Sequence, residues 1–106
     1  MKFQEEVKNN NLVWLENWYK TQCNGDWEHA YGIRIETLDN PGWKISVSLE
    51  NTKWENEILE MKQIENSESD WYAFGIKEKN FIGAGDPAKL DYLIGLFRKF
   101  IEEKES

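Results

Sequence analysis

The chain, residues 1–106, is predicted to fold as one α+β domain in which two helices cover a four-stranded antiparallel sheet. Three observations predict this architecture: helical spacing of apolar residues at both ends, alternation of apolar and polar residues between them, and short turn-forming connections. Strands that follow one another through short connections tend to pair, so the order α-β-β-β-β-α predicts a meander. One face of this sheet must be buried, and the two amphipathic helices supply the second layer.

The first predicted element is a helix over residues 11–23. One stripe of this helix is made of residues three or four positions apart, namely Leu12, Leu15, Tyr19 and Gln22, with Trp14 and Trp18 beside them. Asn10 or Asn11 supplies the N-cap, and the sequence CNG stops the helix because Gly25 tolerates positive φ. The polar residues 1–10 are expected to fray.

A β-hairpin is predicted next, over residues 31–39 and 43–50. Apolar residues alternate with polar residues in both segments, which is typical of strands that bury one face. The sequence DNPG between them predicts a tight turn, because Pro41 presets φ at one central position and Gly42 can adopt positive φ at the next.

The middle of the chain gives weaker signals. It is predicted to contain, in order, a loop, a weak strand, a turn and a last strand, over residues 51–57, 57–65, 66–70 and 71–83. The last strand directs Tyr72, Phe74 and Ile76 towards the core, with a bulge or bend near Gly75 or after Lys77.

The C-terminal segment has the clearest helical pattern. Asp86 is predicted as the N-cap and Pro87 as the first helical residue. The core stripe of this helix consists of Leu90, Leu93, Ile94, Phe97 and Ile101.

Composition argues against several classes of protein. A net charge of −7 without a basic stripe disfavours nucleic-acid binding, because a phosphate backbone would be repelled. The chain does not start with the apolar run of a signal peptide, and no segment approaches the roughly 18 apolar residues of a membrane span. We therefore expect a cytoplasmic protein that binds no membrane. Its acidity favours solubility and also suits a basic protein partner.

The stretch QCNGDWEHAYG, residues 22–32, contains the only cysteine and the only histidine of the chain. Cys23 and His29 could form a thiol-dependent catalytic pair. The C-terminal end of a helix is an unfavourable place for a thiolate, however, and the carboxylates of Asp26 and Glu28 would disfavour it further. A single cysteine also leaves no second ligand pair for a structural zinc ion. We predict no catalytic residue, metal or cofactor, and interpret the stretch as a joint between helix and strand that presents a contact surface.

Residues 12–43 resemble the immunity protein 53 family of bacterial polymorphic-toxin systems. The resemblance lies in the helix end WYKTQC, the joint GDWEHAYGI and the turn TLDNPGW, and the later FIGAGDPAKLDYLIGLFRKF is similar to the closing segment of that family. The matching motif positions are Trp18, Tyr19, Cys23, Trp27, Glu28, His29, Gly32, Asp39, Pro41, Gly42 and Trp43. The resemblance implies a small α+β protein, encoded beside a toxin, that protects its producer by binding that toxin. It implies no catalytic residues.

The implied partner is a basic, nuclease-like toxin, because many toxins of such systems attack nucleic acid, and a chain of charge −7 would attract it. The candidate toxin-binding residues are aromatic side chains with nearby acids, in three patches: Asp26, Trp27 and Glu28; Trp54, Glu55 and Glu57; Glu68, Asp70 and Trp71. Trp54 is the foremost candidate, because its predicted loop position leaves it no core slot. A small thiol-dependent enzyme around Cys23 and His29 and a structural or ligand-binding domain remain alternatives, and the oligomeric state, monomer or dimer, stays open.

Overall fold

A computed structural model describes residues 10–105. Of residues 1–10, which are expected to fray, all but Asn10 lie outside the described residues. The elements are α1 (Asn11–Gln22), α2 (Trp27–Ala30), β1 (Ile33–Leu38), β2 (Gly42–Ser48), β3 (Lys62–Ser67), β4 (Asp70–Lys77), β5 (Asn80–Gly85) and α3 (Leu90–Glu105). The α+β class and the helices at both ends are confirmed. The predicted number of strands is wrong, because the sheet has five.

The fifth strand arises from a tight turn inside the segment predicted as one strand. Glu78 and Lys79 adopt positive φ angles of 52° and 63°, and the flanking Lys77 and Asn80 pair across the turn. Such turns normally use Asn-Gly or Asp-Gly, because other residues rarely take positive φ. The sequence EK therefore gave no turn signal, although a bend after Lys77 was predicted.

The sheet is antiparallel throughout, with the strand order β1-β2-β5-β4-β3. The predicted meander is thus wrong, because β2 pairs with β5 and residues 49–61 carry the chain to the far edge. The weak strand predicted from residue 57 begins instead at Lys62. A connection of this length can cross the end of the sheet, whereas the short turns elsewhere keep neighbours paired.

The core lies between the sheet and α3. Ile45 and Val47 of β2 and Phe81 of β5 are fully buried on the face that α3 covers. Phe97 of α3 packs on Phe81 with ring centroids 5.1 Å apart. The Phe97 ring also contacts the Trp18 ring of α1 edge to face, with the ring centroids 5.0 Å apart. Helix α1 therefore packs against α3.

Helix α1 begins and ends close to the predicted residues but buries a different face. Oδ1 of Asn10 accepts a hydrogen bond from the backbone N–H of Val13 (3.0 Å), which confirms an N-cap at Asn10. Leu15 and Trp18 are buried, whereas Leu12 is 51% exposed, so the predicted stripe is only partly correct. The tryptophan side faces the core because Trp14 and Trp18 both pack against Phe97 of α3.

The hairpin of β1 and β2 is confirmed, with Ile33 opposite Val47 and Leu38 opposite Gly42. Its turn differs from the prediction: the Asn40–Pro41 peptide bond is cis, and Gly42 opens β2 without a positive φ. Gly42 is required there for another reason, because a Cβ atom would collide with the carbonyl oxygen of Gly85.

Helix α3 begins at Leu90, three residues later than predicted. Residues 86–89 form a preceding turn, in which the N–H of Lys89 donates to the carbonyl of Asp86 (3.0 Å). The buried residues of α3 are Leu93, Ile94, Phe97, Phe100 and Ile101, which confirms the predicted stripe apart from the half-buried Leu90 and the added Phe100. Within residues 10–105, no helix combines the length and apolar character needed to cross a membrane.

Candidate binding surface

The joint that holds the only cysteine and histidine is a closed network of local hydrogen bonds. The carboxylate of Glu28 accepts the backbone N–H groups of Asn24 (3.0 Å) and Gly25 (2.9 Å). Oδ1 of Asn24 accepts hydrogen bonds from the backbone N–H groups of Asp26 and Trp27, both at 2.9 Å. Hydrogen bonds from backbone N–H groups, its own first and then those of Asn24 and Gly25, lower the pKa of Glu28. These bonds orient the one-turn helix α2, which the sequence did not reveal.

Cys23 and His29 have different surroundings in this joint. The thiol of Cys23 donates to the carbonyl of Tyr19 (3.3 Å), which extends the C-terminal cap of α1. His29 is exposed at the end of α2. In the part of the chain that the structure describes, no group of three or more His, Cys, Asp or Glu side chains could hold a metal ion.

The first predicted patch, Asp26, Trp27 and Glu28, divides into a buried anchor and an acidic rim. Trp27 is 3% exposed, and its Nε1 donates to the carbonyl of Glu50 (2.8 Å). The Glu28 carboxylate accepts hydrogen bonds from backbone N–H groups, whereas the Asp26 side chain is exposed. Trp27 therefore holds the joint in place and leaves Asp26 available for a partner.

The second predicted patch, Trp54, Glu55 and Glu57, is also built around a buried ring. Trp54 is only 4% exposed, so the expectation that it lacked a core slot is wrong. Residues 49–57 turn back over α1 and place its ring 5.8 Å from that of Trp18. Glu55 and Glu57 remain at the rim and form weak ion pairs, at 3.9 Å with Lys79 and at 3.3 Å with Lys104.

The structure brings the first two patches together. Trp18 contacts both Trp27 (6.2 Å between centroids) and Trp54 (5.8 Å). The hydrogen bond from Trp27 to the carbonyl of Glu50 joins α2 to the segment that carries the second patch. We call the combined surface the tryptophan end; its members are Asp26, Trp27, Glu28, Trp54, Glu55 and Glu57. Two segments separated by more than twenty residues thus form one acidic surface supported by aromatic rings.

A groove of about 620 Å³ opens at the tryptophan end. Its walls come from Trp14, Trp18 and their neighbours on α1, from residues 51–54, and from Ile101 and Glu105 near the end of α3. We call it the tryptophan groove. Sequence analysis missed it, because a groove between three separate segments leaves no local signal; only the spacing of Trp14 and Trp18 on one helix side pointed to it.

Trp18, which lines this groove, has one buried polar atom without a partner. Nε1 of Trp18 is the only buried side-chain nitrogen or oxygen within residues 10–105 that has no hydrogen-bond partner. Trp18 itself is only 5% exposed. Leaving such a donor unpaired costs about 1–3 kcal/mol, which the aromatic packing of Trp18 on Phe97, Trp27 and Trp54 has to offset.

The third predicted patch, Glu68, Asp70 and Trp71, lies apart from the other two. Asp70 accepts a hydrogen bond from Lys89 (2.7 Å), and the Lys89 ammonium and then the Asn66 amide lower the pKa of Asp70. Trp71 is half-buried, and it lines a separate cavity of about 490 Å³ together with the exposed Glu68. This patch lies beside the start of α3, whereas the tryptophan groove lies at its end, and a 16-residue helix is about 24 Å long.

Comparison with known proteins gives one match. The family model described as immunity protein 53 matches residues 12–102, which is most of the chain. No curated protein and no solved structure matches.

Proposed function

Because the chain belongs to the immunity protein 53 family, we propose that it protects a bacterium by binding a toxin encoded beside its gene. The family match over residues 12–102 carries this proposal. Inhibition needs only a stable complex, so the protein acts without catalysing a reaction. The hydrogen bond that commits the Cys23 thiol to the cap of α1 agrees with such a role.

We further propose that the toxin is basic and nuclease-like and that the two proteins meet in the cytoplasm. A protein that holds nucleic acid needs a cationic surface. A chain of net charge −7 attracts such a surface, and this attraction accelerates association when a newly made toxin must be captured quickly.

The tryptophan end is the toxin-binding surface of this proposal. Two of the three predicted patches meet there, and the tryptophan groove opens beside Trp54. The buried Trp27 and Trp54 make this surface rigid, so that little conformational freedom is lost on binding. The carboxylates of the exposed Asp26 and of the half-buried Glu55 and Glu57 provide the electrostatic complement to a basic partner.

Co-expression tests the immunity role directly. The toxin gene that adjoins the gene of this chain is induced in cells with and without this protein, and growth is followed. We expect growth only when the protein is present, and we expect the two proteins to co-purify. Equal survival of cells that lack the protein would contradict the proposal.

The electrostatic part has its own test. Binding of the purified toxin is measured by titration at increasing salt concentrations, and the affinity is expected to fall because salt screens attraction between exposed charges. An affinity that does not change with salt would contradict a basic toxin surface, although the immunity role would stand.

A further inference from the structure

Strand β1 has a free edge. It is an outermost strand of the sheet, and in the part of the chain that the structure describes no strand pairs with its outer side. The N–H of Ser48 donates to the carbonyl of Gly32 (3.0 Å), so the even-numbered residues of β1 exchange hydrogen bonds with β2. The backbone N–H and carbonyl groups of Ile33, Ile35 and Thr37 therefore point away from the sheet, where another strand can bind them.

The two edges of the sheet differ in how well they are protected against such pairing. The register of the other edge strand, β3, shifts between Glu65 and Ser67, and bulges of this kind discourage a further strand. Strand β1 pairs in continuous register and carries the exposed Ile35 near its centre. A groove of about 430 Å³ between α1 and the start of β1 shows that the helices leave this side of the sheet open. The edge of β1 is therefore the one suited to strand addition.

The sequence of β1 is complementary to itself. When two copies pair antiparallel about a twofold axis at Ile35, each Arg34 lies directly opposite Glu36 of the other copy. Ile35 then lies opposite its own counterpart, and Ile33 lies opposite Thr37. The outward backbone groups of these three residues exchange hydrogen bonds across the twofold axis, whereas Arg34 and Glu36 project from the opposite face of the sheet.

Charge selects this register among the symmetric ones. An axis at Arg34 would place two arginines opposite each other, and an axis at Glu36 would do the same with two glutamates. Opposite charges at directly opposed positions stabilise a strand pair, and like charges destabilise it. Both side chains are exposed, and Lys44 of β2 lies opposite Glu36 within the same copy, so charges of alternating sign would cross the interface. This local complementarity opposes the general repulsion between two chains of net charge −7.

We propose that two copies of this chain associate by antiparallel pairing of their β1 strands about Ile35, with Arg34 of each copy opposite Glu36 of the other. The dimer has one continuous sheet, to which each copy contributes five strands. No residue of β1 lines the tryptophan groove, so each copy keeps that surface for a toxin. The inference concerns the chain alone and does not depend on the proposed toxin-binding function.

Sedimentation equilibrium of the purified chain tests the association. Between about 10 µM and about 1 mM, a range typical of weak interfaces, the average mass should rise from 12.6 kDa towards twice that value. Ile35→Lys places two ammonium groups opposite each other, and Ile58→Lys adds the same charge at an exposed site outside β1. We expect the first variant to raise the dimer Kd by about tenfold or more and the second by about twofold at most. A wild-type mass that does not rise, or equal effects of the two variants, would overturn the inference.

A charge exchange tests the register. Arg34→Glu and Glu36→Arg each place like charges opposite each other, so each variant alone should dimerise more weakly than the wild-type chain. An equimolar mixture of the two restores opposite charges at both positions, and so does the double variant, which keeps the net charge of the wild-type chain. At one ionic strength, we expect the mixture to associate about tenfold more tightly than either variant alone. Net charge alone would give the mixture an intermediate affinity, and that result would overturn the proposed register.

Controls separate folding and toxin binding from dimerisation. Thermal unfolding verifies that each variant folds, and titration with the purified toxin from the adjoining gene compares Ile35→Lys with Ile58→Lys. We expect equal affinities for the toxin, because the edge of β1 is occupied by a second copy. A monomeric wild-type chain whose toxin binding is weakened by Ile35→Lys alone would overturn the inference and assign the edge to a strand of the toxin. A dimer that fails to bind the toxin would contradict the proposed function and leave this inference standing.

Discussion

Nε1 of Trp27 lies 2.8 Å from the carbonyl oxygen of Glu50, and this hydrogen bond joins the helix–strand joint to the turn that carries Trp54. It helps to explain why a cysteine and a tryptophan stand in one short stretch, residues 22–32. Trp27 anchors the joint to residues 49–57, the thiol of Cys23 caps α1, and Asp26 remains exposed at the surface. A local sequence cluster thereby becomes half of a larger surface, the other half of which comes from residues 50–57.

Trp27→Phe is expected to weaken both stability and toxin binding. The change removes the bond to Glu50 and leaves space beside Trp18, so the free energy of unfolding should fall by about 2 kcal/mol. Urea unfolding measures the loss, and titration with the toxin measures the Kd. Trp43→Phe is the control, because Nε1 of Trp43 makes a similar bond to the carbonyl of Pro87 (2.9 Å), away from the tryptophan end. Equal effects of both variants on the Kd would contradict the role of this surface.

Regular patterns made much of the fold predictable. The alternation around Ile33 and Val47 predicted the first hairpin, and the stripe that includes Leu93 and Phe97 predicted the buried face of α3. In these elements the local period matches the face that tertiary packing buries. That residues 1–106 form one domain stays a prediction.

The predictions that were wrong depend on features that no local sequence pattern reveals. The turn at Glu78 uses a residue type that rarely adopts positive φ, so one predicted strand is in fact two. Trp54 lies in a loop, yet the loop folds over Trp18 and buries it. The tryptophan groove depends on how three segments pack, and such tertiary arrangements override local propensity.

Acid is expected to destabilise the fold through Asp86. Its carboxylate accepts hydrogen bonds from the ammonium of Lys89 (2.6 Å) and the N–H of Trp71 (2.9 Å), which lower its pKa from 3.8 to about 2. The Asp86 carboxylate is therefore protonated at a higher pH in the unfolded chain than in the folded chain. The free energy of unfolding should therefore be constant near neutral pH and fall as the pH drops from about 4 to about 2.

Urea unfolding at a series of pH values measures this dependence, with Asp86→Asn as the comparison. The variant should be less stable at neutral pH, because the ion pair with Lys89 is lost, and its stability should decline less steeply in acid. A decline as steep as that of the wild-type protein would show that other carboxylates cause it.

Cys23→Ser is expected to leave protection against the toxin unchanged. The serine hydroxyl can donate to the carbonyl of Tyr19 as the thiol does, so the cap of α1 is preserved. The growth assay with the adjoining toxin gene measures protection, and thermal unfolding measures the fold. A variant that folds normally and yet fails to protect would favour the thiol-dependent enzyme around Cys23 and His29.

Asp26→Asn and Glu28→Gln separate the electrostatic role of the joint from its structural role. Each variant removes one negative charge from the tryptophan end, so each should slow association with the toxin at low salt. Only Glu28 binds backbone N–H groups, those of Asn24 and Gly25, so only its variant should lower the melting temperature. Stopped-flow association and thermal unfolding measure the two effects. Equal melting temperatures would contradict the structural role of Glu28.

Charge reversal at two distant positions decides which acidic surface meets the toxin. Glu57→Lys places a positive charge at the tryptophan end, whereas Glu68→Lys places the same charge beside Trp71, near the start of α3. Both variants change the net charge equally, so long-range attraction weakens equally, and any difference in the dissociation rate reflects contact. We expect Glu57→Lys to accelerate dissociation of the toxin complex by about tenfold and Glu68→Lys to have little effect. The opposite order would move the binding surface to Trp71 and its acidic neighbours, because a repulsive charge acts on the bound complex only where the partner lies against it.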